Sequence, residues 1–332
     1  MRVSHDFQRV RIALDDDLHL PNPVEPTTLD DLHVYRIDAF TTEPGRGNPA
    51  GVVTNAAGLD DARMQAIAHE LGFSETAFVL PARGDDHDLH LRFFTPTTEV
   101  PVCGHATIGA HYALAIEHGT TGLRRQLTGA GVQRVQVREA AGDYVVRIEQ
   151  NPPLFHPPLA PALMREVVAA LGLADGDLDF RCPLQFVSTG HGKLLVGIEK
   201  RDRLTTLKPD LARLAALSPA VGSNGYFVFT LETEDDDDAF CHGRMFAPAI
   251  GVDEDPVTGN ANGPLGAYLV RHGLLSARDG RAGFRARQQS ASGRGGFIDV
   301  EVGVEHGEPV GVAITGHAVL GSRVSPRVPR QA

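Results

Sequence analysis

The feature that most constrains this chain is a repeat within it. SETAFVL, from Ser74 to Leu80, matches SNGYFVF, from Ser223 to Phe229, at an offset of 149 residues. RFFTP (Arg92 to Pro96) matches RMFAP (Arg244 to Pro248) at 152, and GHATIGAHYAL (from Gly104) matches GNANGPLGAYL (from Gly259) at 155. One such match is easily accidental. Three in the same order and nearly the same spacing point to an internal duplication. The expected fold is α+β, with two similar domains, each a sheet wrapped on a buried helix. The expected boundaries are an N-terminal extension at 1–30, a first domain at 31–150 and a second at 151–325. A site then belongs in the cleft between the domains.

Local patterns fill in this plan. Val34 to Phe40 alternates like a strand, and GNPAGVV (Gly47 to Val53) supplies a turn and a second strand. Leu59, Met64, Ile67, Ala68 and Leu71 recur at helical spacing, and Gly72 ends that helix. Gly104 to Ile116 and Gly259 to Gly273 are helices of small, apolar residues, a composition expected of buried helices. Further helices are expected at 162–171 and Leu207 to Leu217, and a hairpin at Arg134 to Gln150. Residues 1–30, with Asp15, Asp16 and Asp17, show no sustained period.

Composition removes several function classes. The net charge of -11 argues against nucleic acid or an anionic membrane as main partner. Cys103, Cys182 and Cys241 are odd in number and far apart, which suits a reducing compartment. With no apolar run of membrane length and no signal-peptide pattern at the N-terminus, the expected location is the cytoplasm.

Chemistry concentrates near the repeated segments. Gly104-His105 and Gly259-Asn260 open the two small-residue helices. The free N–H groups there can hold a carboxylate, and glycine lets a ligand approach the backbone. The alternative is that these glycines only permit tight packing. Asp253, Glu254 and Asp255 precede the second helix; an acid there often caps it. Asp255, held by Pro256, is the one expected to face the cleft. His105 suits proton transfer or substrate hydrogen bonding near neutral pH. Glu75 lies just ahead of a core strand, and its repeat position carries Asn224, so the fold does not require an acid there. It is either a solvated strand-end residue or a proton carrier. An apolar cleft would raise its pKa from about 4.3 toward neutrality. GHGK (Gly190 to Lys193) lacks the spacing of a phosphate loop, HDLH (His87 to His90) lacks the other ligands of a metal site, and Asp235 to Asp238 reads as a solvated run.

DAFTTEPGRGNPAGVV, GFSETAFVLP, RFFTPTTEVPVCGHATIGAH, VSTGHGKLLVGI and MFAPAIGVDEDPVTGNANG together resemble the phenazine biosynthesis PhzF-like isomerase family, within the diaminopimelate epimerase-like fold. The resemblance covers roughly residues 34 to 320. It implies a curved mixed sheet around a central helix in each domain, and a cofactor-free proton shift on a small carboxylate. It also implies a homodimer. By motif match, the family's acid/base glutamate falls on Glu75, its histidine on His105, its aspartate on Asp255, and its anion-binding backbone on Gly104 and Gly259. Where phenazine enzymes often carry Ser after the second glycine, this chain has Asn260, which can still hydrogen-bond substrate. Related racemases use one cysteine at each central helix start; here Cys103 is met by Thr258, whose hydroxyl is far too weak an acid to match a thiol. The expected function is an isomerase that moves a proton between carbons, with no cofactor and no metal. A racemase or epimerase of a small amino or hydroxy acid, and a non-catalytic small-acid-binding protein, are the alternatives.

Overall fold

The computed structural model describes residues 32–234 and 238–324. Residues 1–30, including the acidic triplet at 15–17, lie outside the described residues, as do 235–237 of the acidic run.

In chain order the elements are β1 (Val34–Ala39), β2 (Asn48–Val53), α1 (Asp61–Leu71), β3 (Thr76–Pro81), β4 (Leu89–Phe94), β5 (Glu99–Val100), α2 (Gly104–His118), β6 (Gly122–Thr128), β7 (Gly131–Ala140) and β8 (Asp143–Gln150). There follow β9 (Leu154–Pro158), α3 (Pro161–Ala170), β10 (Gln185–Ser188), β11 (Lys193–Ile198), α4 (Arg201–Thr205), α5 (Leu211–Val221), β12 (Tyr226–Thr230), β13 (Cys241–Ala247), β14 (Val252–Asp255), α6 (Gly259–Arg271), β15 (Arg281–Gln289), β16 (Gly295–Glu305) and β17 (Glu308–Val324).

The pairings run in the same order through both halves. β1 and β2 are antiparallel, β2 and β3 parallel, β3 and β4 antiparallel, β4 and β6 parallel, and β6, β7 and β8 a meander. β10 to β17 repeat this: antiparallel, parallel, antiparallel, parallel, then a meander. β17 pairs with both β8 and β1, so the first set closes into a ring. On the other side β8 leads into β9, and β9 pairs with β10 beside the second set. The last described strand of the second half thus completes the sheet of the first.

α2 lies inside the first ring, against β1, β2, β3, β7, β8 and β17, and α6 lies against β10, β11, β15, β16 and β17. Glycine allows this depth. Gly109 packs closely on Val52 and Ile37, and a Cβ on Gly266 would lie 2.6 Å from Val300 and 2.9 Å from Val302, so those side chains would have to shift. α1 covers the outer face of the first sheet, and α3 and α5 that of the second. The central strands are therefore apolar on both faces. In β3, Ala77 and Val79 face the central core, while Phe78 and Leu80 face α1. In β12, Phe227 and Phe229 face inward and Tyr226 and Val228 outward.

One expected helix moves. Leu207 to Leu217 is replaced by Leu211–Val221, because Asp210 caps the backbone of Arg213 and sets the start, while Gly222 at φ 71° sets the end. β5 and β14, too short to read as strands, pair with β4 and β13. Each brings a glutamate to an arginine: Glu99 to Arg92 and Glu254 to Arg244, both at 2.7 Å.

The halves are also pinned at Phe40. It follows β1 with φ 64°, a conformation that costs a bulky residue about 1–3 kcal/mol. Its N–H donates to the His317 carbonyl at 2.7 Å, and its carbonyl accepts from Phe297 at 3.0 Å. A methyl group on Gly296 would lie within bond-like distance of the Phe40 carbonyl oxygen. Gly296→Ala is therefore expected to destabilise the protein by about 1–3 kcal/mol or more, read as a lower urea midpoint; an unchanged midpoint would show that Phe40 does not fix this junction.

Candidate functional site

The two central helices meet end to end. A Cβ added to Gly104 would lie only 3.9 Å from the Gly259 Cα, so the starts of α2 and α6 are adjacent. Neither helix carries an acid in its first turn. Residues N-terminal to each start are extended, Cys103 at φ -145° and Thr258 at φ -123°. The two starts also border a cavity with Gln150, Asn151, Thr189, Gly190 and His191.

Glu75 stands in the short link between Gly72 and β3. Its Oε2 lies 3.4 Å from His105 Nε2, and the side chain is 20% exposed. Burial raises its pKa above the ordinary range, partly offset by a hydrogen bond with Ser74. His105, the second residue of α2, is buried. Its Nδ1 is 3.4 Å from Cys103 Sγ, and its Nε2 is 3.4 Å from Ser74 Oγ. Burial lowers the His105 pKa, against a weaker pull from Asp255. Desolvation therefore moves the two proton affinities toward each other. The 3.4 Å contact therefore joins two groups whose charged forms are both disfavoured by burial.

Asp255 ends β14. Its Oδ1 accepts from Asn48 Nδ2 at 2.7 Å and its Oδ2 from Thr258 Oγ1 at 2.5 Å. Burial raises its pKa, with His105, Thr258 and Asn48 opposing and Glu75 adding to the rise. Asn48 also donates to the Val257 carbonyl, so a residue of the first half holds the acidic turn of the second. From the other side the buried Gln288 donates to the Asp255 carbonyl and to Thr258 Oγ1, and accepts from Thr258 N and Asn262. Asp255 is thus oriented by a shell of neutral donors and has no lysine or arginine within ion-pair distance among the described residues.

The structure brings Glu75, His105, Asp255, Gly104 and Gly259 into one region, with Asn260 on the adjoining cavity wall. Asn224, the repeat counterpart of Glu75, is exposed. Asn48, Gln288, Gln150 and Lys193 were not singled out by sequence. Asn48 sits in the GNPAGVV turn, which offered a signal; Gln288 lies in an ordinary strand and offered none. Lys193, in the GHGK stretch, is 5% exposed, and burial pushes its pKa down to about 7.

Glu75, Cys103 and His105 place one carboxylate oxygen, one thiol and one imidazole nitrogen within 4.8 Å of one another, close enough to hold a metal ion. The donor chemistry fits poorly. Burial, with the Glu75 charge adding to it, pushes the Cys103 thiol well above its ordinary range and disfavours the thiolate a metal requires. At the matching start of α6, Thr258 spends its hydroxyl on Asp255.

A profile of the phenazine biosynthesis-like protein family matches residues 37–323. An uncharacterised isomerase of Clostridium acetobutylicum is 48% identical over 289 residues, 87% of this chain and 95% of that protein. The trans-2,3-dihydro-3-hydroxyanthranilate isomerase of Pseudomonas fluorescens is 34% identical over 253 residues, 74% of this chain and 82% of that one. Among solved structures, a Bacillus anthracis phenazine biosynthesis protein of the PhzF family superposes with a TM-score of 0.79 at 32% identity, covering 88% of this chain and 98% of that chain. A probable proline racemase from Agrobacterium radiobacter, 15% identical, covers 90% of this chain and 93% of that one with a TM-score of 0.60, a likeness of fold alone. The fold is epimerase-like, and the chain belongs to the phenazine biosynthesis-like, PhzF-type isomerase family.

Proposed function

We propose that this protein is a cofactor-independent isomerase that moves a proton between carbons of a small carboxylate-bearing substrate. The observation that carries the reading is the desolvated Glu75–His105 pair beside two converging helix starts. The substrate carboxylate rests against the N–H groups following Gly104 and Gly259, where two helix dipoles present their positive ends. Asn260 hydrogen-bonds the substrate. Glu75, its pKa raised by burial, takes a proton from one carbon and returns it to another. His105 and Asp255 hold the substrate and stabilise the charge that develops. Support for a duplicated two-domain origin, 31–150 and 151–325, is the identical order of strand pairings in the two halves. A homodimer in the cytoplasm is part of the same reading.

A first substrate to try is trans-2,3-dihydro-3-hydroxyanthranilate, on which the Pseudomonas relative is named to act. With it or a related small acid, solvent deuterium should enter at the reacting carbon. Glu75→Gln is expected to slow that exchange by about 10²–10⁴-fold. Exchange at the wild-type rate in the variant would remove Glu75 from the chemistry. Inversion of a stereocentre without migration of a double bond would favour a racemase instead.

The same burial has a thermodynamic signature. Because the folded pKa of Glu75 is raised, the native state holds this proton more tightly than the unfolded chain, whose value is about 4.3. Wild-type stability is therefore lost as pH rises from about 4.3 through the folded value. Glu75→Gln removes this loss. Its stability relative to wild type should increase between pH 4 and pH 8 in urea titrations; a flat or falling difference would mean that Glu75 is ionised at no cost.

A further inference from the structure

Lys193 opens β11, in a parallel register opposite the segment that begins β12. Its methylenes cross Gly225: a Cβ built on that glycine would lie 2.5 Å from Lys193 Cδ and 2.2 Å from the methyl of Met245. Met245 in turn is the β13 partner of Asp255. The first half uses the matching space differently. There Gly51 pairs with Thr76, and the side chain crossing the glycine is the short Thr76. The second half reverses the pair: the glycine is on the second strand, and the side chain that crosses it comes from the first strand and is a lysine.

The ammonium is nearly dry and poorly partnered. Its only hydrogen bond among the described residues is to the Gly192 carbonyl, at 3.2 Å, and no carboxylate lies within ion-pair distance there. A lysine ammonium has three N–H donors, so two are unused. Burying such a group without partners is costly. Asp255 is close enough for its charge to act on Lys193, but its oxygens are taken by Asn48 and Thr258. Gly190 and His191, just before Lys193, line the cavity that Gly104 and Asn260 also border. The facing titratable groups are Asp255 and His191, the latter pulled down to about 4 mainly by the Lys193 charge. None of them neutralises it.

We propose that Lys193 recognises a second anionic group on the substrate, so that the site takes a small acid with two negative substituents, one at the helix starts and one at this ammonium. The inference rests on the reading of the helix starts as the seat of the first carboxylate. It makes Lys193 a specificity-determining residue, and Glu75 keeps its role in proton transfer.

The test uses two acids of equal carbon length, succinate and butyrate, titrated calorimetrically into the full chain at constant ionic strength. Wild type should bind succinate about tenfold tighter or more. In Lys193→Met the preference should fall to within about twofold, with butyrate affinity unchanged, because the apolar chain fills the same space. Lys193→Gln, similar in length and uncharged, gives the same readout if the methionine variant fails to fold. A succinate preference that survives loss of the amine, or no preference in wild type, overturns the role of Lys193 alone. Absence of binding by either acid to wild type overturns the helix-start reading, and this inference with it.

Discussion

Two helix N-termini pointed at each other are an electrostatic problem before they are a site. Each carries about half a positive charge, and at the spacing of Gly104 and Gly259 those charges repel. The arrangement persists because strands fix each helix from the side. Small residues let both helices sink to that depth, and Gln150 ties one end down by donating to the Gly259 carbonyl. The turn from Asp255 to Thr258, clamped by Asn48 from one half and Gln288 from the other, sets where the second helix starts.

A second consequence is that charge is costly in this cleft. Glu75 and Asp255 are pushed toward their protonated forms, His105 and Lys193 toward their deprotonated ones, and desolvation is the largest cause in every case. An anionic ligand would favour the charged forms of His105 and Lys193 and the neutral forms of Glu75 and Asp255. Binding and protonation state are therefore linked in this cleft.

Much of this was legible in the residues. Gly104, Gly259 and Asp255 could be located because helix starts and a proline-flanked acid have local signatures, and the Asn224 counterpart isolated Glu75 as an acid the fold does not need. Gln288 and Lys193 could not. Their importance comes from strand register, which sets Gln288 beside Thr258 and Lys193 across from Gly225, and register is a long-range property. The start of α5 was misplaced for a local reason: Leu207 continues the leucine pattern, but the cap at Asp210 overrides it. The pairing of β17 with strands of the first half leaves no trace in periodicity at all.

That pairing bears on how the protein is made. β1 and β8, the two edges of the first ring, both wait for β17, the last strand of the described chain. On the ribosome, the first half emerges complete in sequence yet with two strand edges open while some 160 further residues are synthesised. The second half, with β9 already waiting beside it, gains its last described strand in the same step. The first ring thus closes only once β17 has been made, and the interval before it is when its open edges most need protection from pairing with a neighbour.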